Sequence, residues 1–280
     1  MKIITLGTGE SCDFHSNKLN LLNPDIKKFA FHRTFMLLKE RNIDVDYWTW
    51  TDPDAAESGL EWMVKNPQAK HPIIILPYWA QSLVDFERLY YVPGNLQGPR
   101  ILKHFELLNT EAVKKNIVFI NNAINNVFEV KQIKNGRFDR EQVVFHTPTY
   151  KYPYLIMKKG DYSFKVPVVL QKNKPLKDHH LPYNYGPENV FTRHLLPICH
   201  YLRATEVYNL GCDNSGLGFN RQVPQWGGDS IDNINSTLSY FKLWKKWEPL
   251  HHMKIYRCME DRFTNIGDIM PYKSLEELYA

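Results

Sequence analysis

Lys2-Ile-Ile-Thr-Leu6 is an apolar run that stops at Gly7-Thr-Gly9 and continues as Glu10-Ser11-Cys12-Asp13. A buried strand that enters a glycine turn, followed by a hydroxyl residue and a carboxylate, is how a first parallel strand opens onto an anion-binding turn. Further apolar runs follow at Val45–Trp50 and at His71–Leu76. Between them lie stretches that read as helices. Residues 26–41 carry Phe29, Phe31, Phe35, Met36 and Leu38 among basic residues, with Asn42 as a stop. Residues 55–65 follow Thr51-Asp52-Pro53-Asp54, a turn with a helix cap. Strands alternating with helices predict an α/β fold with a Rossmann-like, mostly parallel sheet.

The middle of the chain is less regular. Helices are expected over 82–91 and 99–108, and a strand over 116–120. A hairpin is expected around Asn135-Gly136, which favours a type I′ turn. A short strand is expected over 166–170. Residues 78–185 therefore read as an irregular, aromatic-rich insertion in a single domain spanning 1–280. Regularity returns with a helix over 188–203, then the strand Glu206–Leu210 closing on Gly211-Cys212-Asp213. Residues 214–230 form a Gly-, Asn- and Gln-rich loop, long enough to serve as a lid. A helix over 231–247, a strand over 252–258 and a final helix over 274–279 complete the chain.

Composition narrows the function classes. The net charge of +5 comes from intermixed acids and bases without a basic block, which argues against a nucleic-acid partner. Cys12, Cys199, Cys212 and Cys258 form no C-x-x-C pair, so a zinc site is not expected. Buried free thiols in a reducing compartment are expected instead. There is no secretory leader pattern and no apolar run long enough to span a bilayer, so the expected location is the cytoplasm.

Several residues invite chemistry. Cys12 stands where a dinucleotide fingerprint needs its third glycine, and Asp52 lies well beyond the ~20-residue interval such a site uses. A Walker motif is missing as well. Asp52 reads either as a helix cap or as a carboxylate in the crevice at the strand ends. Asp213 reads either as a holder of a ribose or sugar hydroxyl or as an Asx cap of its turn. His179 and His180, His194, and His251 and His252 are the histidines available for base catalysis, and none has metal-ligand spacing. No Ser or Cys has a nucleophile-elbow context.

Taken together, Gly7-Thr-Gly9-Glu-Ser11, Asp52-Pro53, Phe191-Thr192-Arg193 and Glu206-Val-Tyr-Asn-Leu-Gly211-Cys-Asp213 resemble two related groups. Pro271-Tyr-Lys-Ser-Leu-Glu-Glu-Leu278 belongs to the same pattern. One group is the bacterial sialyltransferases that use CMP-sialic acid. The other is the superfamily of the archaeal 6-hydroxymethylpterin diphosphokinase. The resemblance covers the two ends of the chain and not the middle. It implies a glycosyltransferase that moves a sugar from a nucleotide-activated, CMP-linked donor to an acceptor hydroxyl. It further implies that Gly7, Thr8, Gly9 and Ser11 cradle the nucleotide, that Asp52 and Asp213 contact it, and that Thr192 and Arg193 face its phosphate. The sialyltransferases carry a catalytic His and phosphate-holding tyrosines in the lid. Residues 214–230 contain neither and offer Arg221, Gln222, Gln225, Trp226 and Asp229. Arg221 is thus the expected clamp for the leaving phosphate, and His179, His180 or Asp229 the expected base. No cofactor is expected for this reaction. The pterin relatives imply an alternative, ATP-dependent diphosphoryl transfer with Mg²⁺ on Asp52, Asp54 and Asp213. A non-enzymatic nucleotide-binding protein on the same scaffold is the third possibility.

Overall fold

The computed structural model describes residues 1–50, 55–77, 103, 106–108, 110–120, 144–146, 154–159, 162–167, 190–213, 238–239, 241–242, 244–246, 248, 252–264 and 267–280. β1 (Lys2–Leu6) leads into α1 (Glu10–His15). β2 (Ile26–Phe31), α2 (Thr34–Lys39), β3 (Tyr47–Thr49), α3 (Glu57–Lys65) and β4 (Ile73–Pro77) follow. Next come α4 (Glu111–Lys114) and β5 (Ile117–Ile120). β6 (Val144–His146), β7 (Tyr154–Lys159) and β8 (Tyr162–Pro167) form a separate antiparallel sheet. A π-helical segment (Val190–Leu195) then runs into α5 (Leu196–Tyr201), and β9 (Glu206–Leu210) and β10 (Lys254–Arg257) return to the main sheet.

The main sheet has seven strands in the order β10-β9-β1-β2-β3-β4-β5, and every neighbouring pair is parallel. This is a Rossmann-like α/β fold. β1 lies between β2 and β9 with Ile3, Ile4 and Leu6 fully buried, as a strand covered on both faces requires. The chain proceeds outward from β1 to β5, then crosses back to lay β9 on the other side of β1. The strand order therefore reverses between β1 and β9.

Helices cover the sheet through large aromatic contacts. Trp48 of β3 is fully buried and meets Phe35 of α2, with ring centroids 4.6 Å apart. α3 docks on the same indole through Gly59, where an added Cβ would lie 2.5 Å from Trp48 Cη2. Phe191 of the π-helical segment packs on Phe241, and the Trp244 indole N–H donates to the Thr192 carbonyl at 2.9 Å. The helical residues among 238–248 thus pack against that segment.

Several expected elements differ from those observed. The one short strand expected over 166–170 only overlaps the end of β8 (Tyr162–Pro167), which pairs antiparallel with a strand that was not expected, β7 (Tyr154–Lys159). Residues 26–31, expected within a helix, form β2, and only Thr34–Lys39 is helical. The spacing of Phe29, Phe31, Phe35 and Leu38 mimics a helical stripe but comes from two elements. Phe29 and Phe31 share one strand face, and Phe35 and Leu38 share one helix face. The polar stretch after Asp13 is not irregular throughout: it contains the end of α1 and a 3-10 turn at Ser16–Lys18. The last expected helix shrinks to a 3-10 turn, Glu276–Leu278. Its Ser274 and Glu277 form a capping box, in which the Ser274 amide donates to Glu277 Oε1 at 3.0 Å. The expected hairpin turn at Asn135-Gly136 and the helix over 82–91 lie outside the described residues. No described helix is long and apolar enough to cross a membrane.

Candidate functional site

Open parallel sheets bind ligands outside the carboxyl ends of their strands, at the point where strand order reverses. Here that point lies between the exits of β1 and β9, and each strand leaves through a glycine. The Gly7 amide donates to the Leu210 carbonyl at 2.9 Å, and the Gly9 amide donates to the Gly211 carbonyl at 2.7 Å. The two exits are too close for side chains. A Cβ on Gly7 would lie 2.4 Å from the Gly211 oxygen, and one on Gly9 2.5 Å from that same oxygen. Gly211 adopts φ +84°, which disfavours any other residue there.

Ser11 and Asp213 lock this junction. The Ser11 amide donates to Asp213 Oδ2 at 2.7 Å, and its hydroxyl donates to Oδ1 at 2.5 Å. The same hydroxyl oxygen accepts the Gly211 amide at 2.9 Å. Both side chains are fully buried. Burial pushes the Asp213 carboxyl up to about 6, against the lowering effect of the two Ser11 hydrogen bonds, and the nearby Glu10 adds to the rise. The glycine spacing read as a phosphate cradle thus also satisfies a demand internal to the protein. The amides of Gly7, Gly9 and Ser11 all donate to protein oxygens, and Thr8 is the half-buried residue between the glycines.

A second group stands along the same edge. Leu6 is level with Leu210 on one side and with Ala30 on the other, which brings Cys212, Thr8 and His32 level just beyond the strands. Phe31 is level with Thr49, so Trp50 extends the row. His32 is held in the left-handed region at φ 52°. Its amide donates to the Thr49 carbonyl at 2.9 Å, and its carbonyl accepts the Trp48 indole N–H at 2.8 Å. The imidazole stacks on Phe31 with centroids 3.7 Å apart. His194 of the π-helical segment also packs edge-on against Phe31, and its Nε2 lies 2.9 Å from Thr49 Oγ1. Burial, with a contribution from the Arg33 charge, pushes His32 down to about 3. Burial first, then the closeness of His32, pushes His194 well down. Both rings are therefore neutral at neutral pH and act as hydrogen-bonding groups rather than cations.

Of the residues singled out from the sequence, Gly7, Thr8, Gly9, Ser11 and Asp213 come together at the strand exits. Thr192 sits in the π-helical segment, fully buried, and its hydroxyl has no partner among the described residues. Arg193 follows it in the same segment. Asp52, His179, His180, Arg221 and Asp229 lie outside the described residues. All four cysteines are free thiols, with Cys12, Cys199 and Cys258 buried and burial pushing each thiol up. Among the described residues no three His, Cys, Asp or Glu side chains group as a metal site. Sequence reasoning missed His32 because it read β2 as helix, and missed Thr49 because its partner His194 comes from a segment far along the chain. The available signal was a histidine directly after a Phe-Ala-Phe strand end. No protein-family model, no curated protein and no solved structure matches the chain.

Proposed function

We propose that the chain is a glycosyltransferase of the sialyltransferase-like kind, moving a sugar from a nucleotide-activated, CMP-linked donor to an acceptor hydroxyl. The observation that supports this most is the reversal of strand order between β1 and β9, where two glycine exits and the Ser11–Asp213 lock form a rigid wall. Because three amides of the first turn are engaged by the protein, the donor meets Thr8 and the neighbouring row rather than a ring of open amides. His32, neutral and stacked on Phe31, supplies a hydrogen bond to that row's ligand.

In the transfer the acceptor oxygen attacks the anomeric carbon, and the bond from that carbon to the phosphate oxygen breaks. The electron pair leaves on the nucleotide phosphate, and the acceptor proton passes to a base. His179, His180 and Asp229 are the candidates for the base. Arg193 and Arg221 are the candidates for stabilising the leaving phosphate, a role that cations fill without a metal. Isothermal titration of the full chain with CMP, UDP, GDP and ADP, with and without Mg²⁺, tests the reading. Binding of CMP in preference to the others, together with release of CMP from a CMP-sugar in the presence of an acceptor, is expected. Binding of none of the four would refute it. Magnesium-dependent binding of ADP alone would favour diphosphoryl transfer, and CMP binding without turnover would favour a non-enzymatic binding protein.

A further inference from the structure

Among the described residues β10 is the outermost strand of the main sheet, and their backbone bonds close its outer edge only in part. Toward β9, the Lys254 and Cys258 amides donate to the Thr205 and Asn209 carbonyls at 2.9 and 2.8 Å. Alternate residues of a parallel strand face its partner, so Ile255 and Arg257 turn their backbone groups outward. Those of Arg257 are met by the chain itself. Its amide donates to the Pro271 carbonyl at 3.0 Å, and its carbonyl accepts the Lys273 amide at 2.9 Å. This parallel bridge at Tyr272 ends there for a chemical reason. Two residues back along the ladder, the Ile255 carbonyl would need the amide of residue 271, and proline has none. Ile255 has no outward backbone partner among the described residues.

Beside this edge lies a cavity of about 350 Å³. Phe241, Trp244, Met253, Ile255, Ile269 and Met270 supply its apolar lining. Its size is at the small end of ligand cavities, which suits one or two apolar side chains. The rim is basic: Lys245 and Lys254 are exposed and line it, with Glu248 as the acid among them. Lys242 and Lys246 are exposed on the same helical stretch.

We propose that the β10 edge docks an extended peptide segment of a partner protein, which adds a strand at Ile255, seats an apolar side chain in the cavity and sets acidic residues against the lysines. Strand addition at an exposed edge is an established recognition mode, in which backbone bonds supply affinity and a side-chain pocket supplies specificity. A second copy of this chain is a poorer occupant, since pairing two such edges brings the same lysines face to face.

The probes are two fluorescein-labelled pentapeptides, Asp-Ile-Val-Ile-Asp and Lys-Ile-Val-Ile-Lys, titrated into the full chain by fluorescence polarisation. The acidic peptide should bind about tenfold or more tightly than the basic one, and less so at high salt. Ile255→Pro removes the outward N–H without touching the bonds to β9, a position where edge strands tolerate proline. It should abolish binding. Lys254→Glu leaves the backbone unchanged and should reverse the preference towards the basic peptide, so a misfolded proline variant does not leave the question open. Equal affinity for the two peptides, no binding of the acidic one, or acidic binding unaffected by Lys254→Glu would overturn the proposal. Concentration-dependent dimerisation in sedimentation that Ile255→Pro removes would also overturn it, since a second copy would then be the occupant.

Discussion

Replacing Asp213 with Asn tests the physical account of the β1–β9 junction. The Asp213 carboxyl titrates near 3.8 when exposed and is pushed up to about 6 in the fold. Its raised value means that the folded state holds the proton more tightly than the unfolded state does. The favourable contribution is therefore complete below about pH 4 and is lost as the pH rises through about 6. A shift of about two units corresponds to about 3 kcal/mol between those limits. The residue is fully buried, so solvent screening does not reduce the figure. Asn keeps the shape and one acceptor for the Ser11 amide but cannot ionise. It leaves the Ser11 hydroxyl without its carboxylate acceptor, at a cost of about 1 kcal/mol. Asp213→Asn should then be about 1 kcal/mol less stable than the parent at pH 4 and about 2 kcal/mol more stable at pH 7 to 8. Urea unfolding followed by tryptophan fluorescence across that range reads the crossing directly. A stability difference that stays constant with pH, or that moves against the variant as pH rises, refutes the reasoning. It would mean that Asp213 is not a desolvated carboxyl held by Ser11.

Two further outcomes follow from the same geometry. Gly211→Ala combines φ +84° with a Cβ 2.5 Å from the Gly7 oxygen, whereas Gly267→Ala has φ +55° but no atom within 4 Å of its Cβ. The first should cost several kcal/mol, about 3 or more, and the second about 1, as read by thermal unfolding. Trp48→Ala empties the space that Phe35 and Gly59 close around and should cost about 3–5 kcal/mol in denaturant titration. A loss below 1 kcal/mol would show that α2 and α3 are not anchored on that indole.

The parallel sheet was legible in the sequence because its central strands are buried on both faces and so appear as short, continuous apolar runs. Ile3, Ile4 and Leu6 in β1 and Ile74 and Ile75 in β4 are of this kind. β2 was not legible for the opposite reason. It carries Lys27 and Lys28 in its first half, where they are half-buried and where the Lys28 amide reaches Asp46 Oδ2 at 2.9 Å. Charged residues between aromatics look like an amphipathic helix until the neighbouring strands are known. The row Cys212, Thr8, His32 and Trp50 depends on register between segments as far apart in sequence as Thr8 and Cys212, and no local pattern encodes register.

Gly7-Thr-Gly9 and Gly211-Cys-Asp213 show where the division lies. Local sequence alone determined that each ends a strand in a tight turn, since glycines after an apolar run have few other uses, and that a hydroxyl and a carboxylate stand close by. It could not determine what the glycines make room for. Only the tertiary structure decided that they make room for each other, with Ser11 and Asp213 fastening the two turns. The physical reason is that space at a turn is a property of what packs against it. Here that neighbour arrives from the far end of the chain.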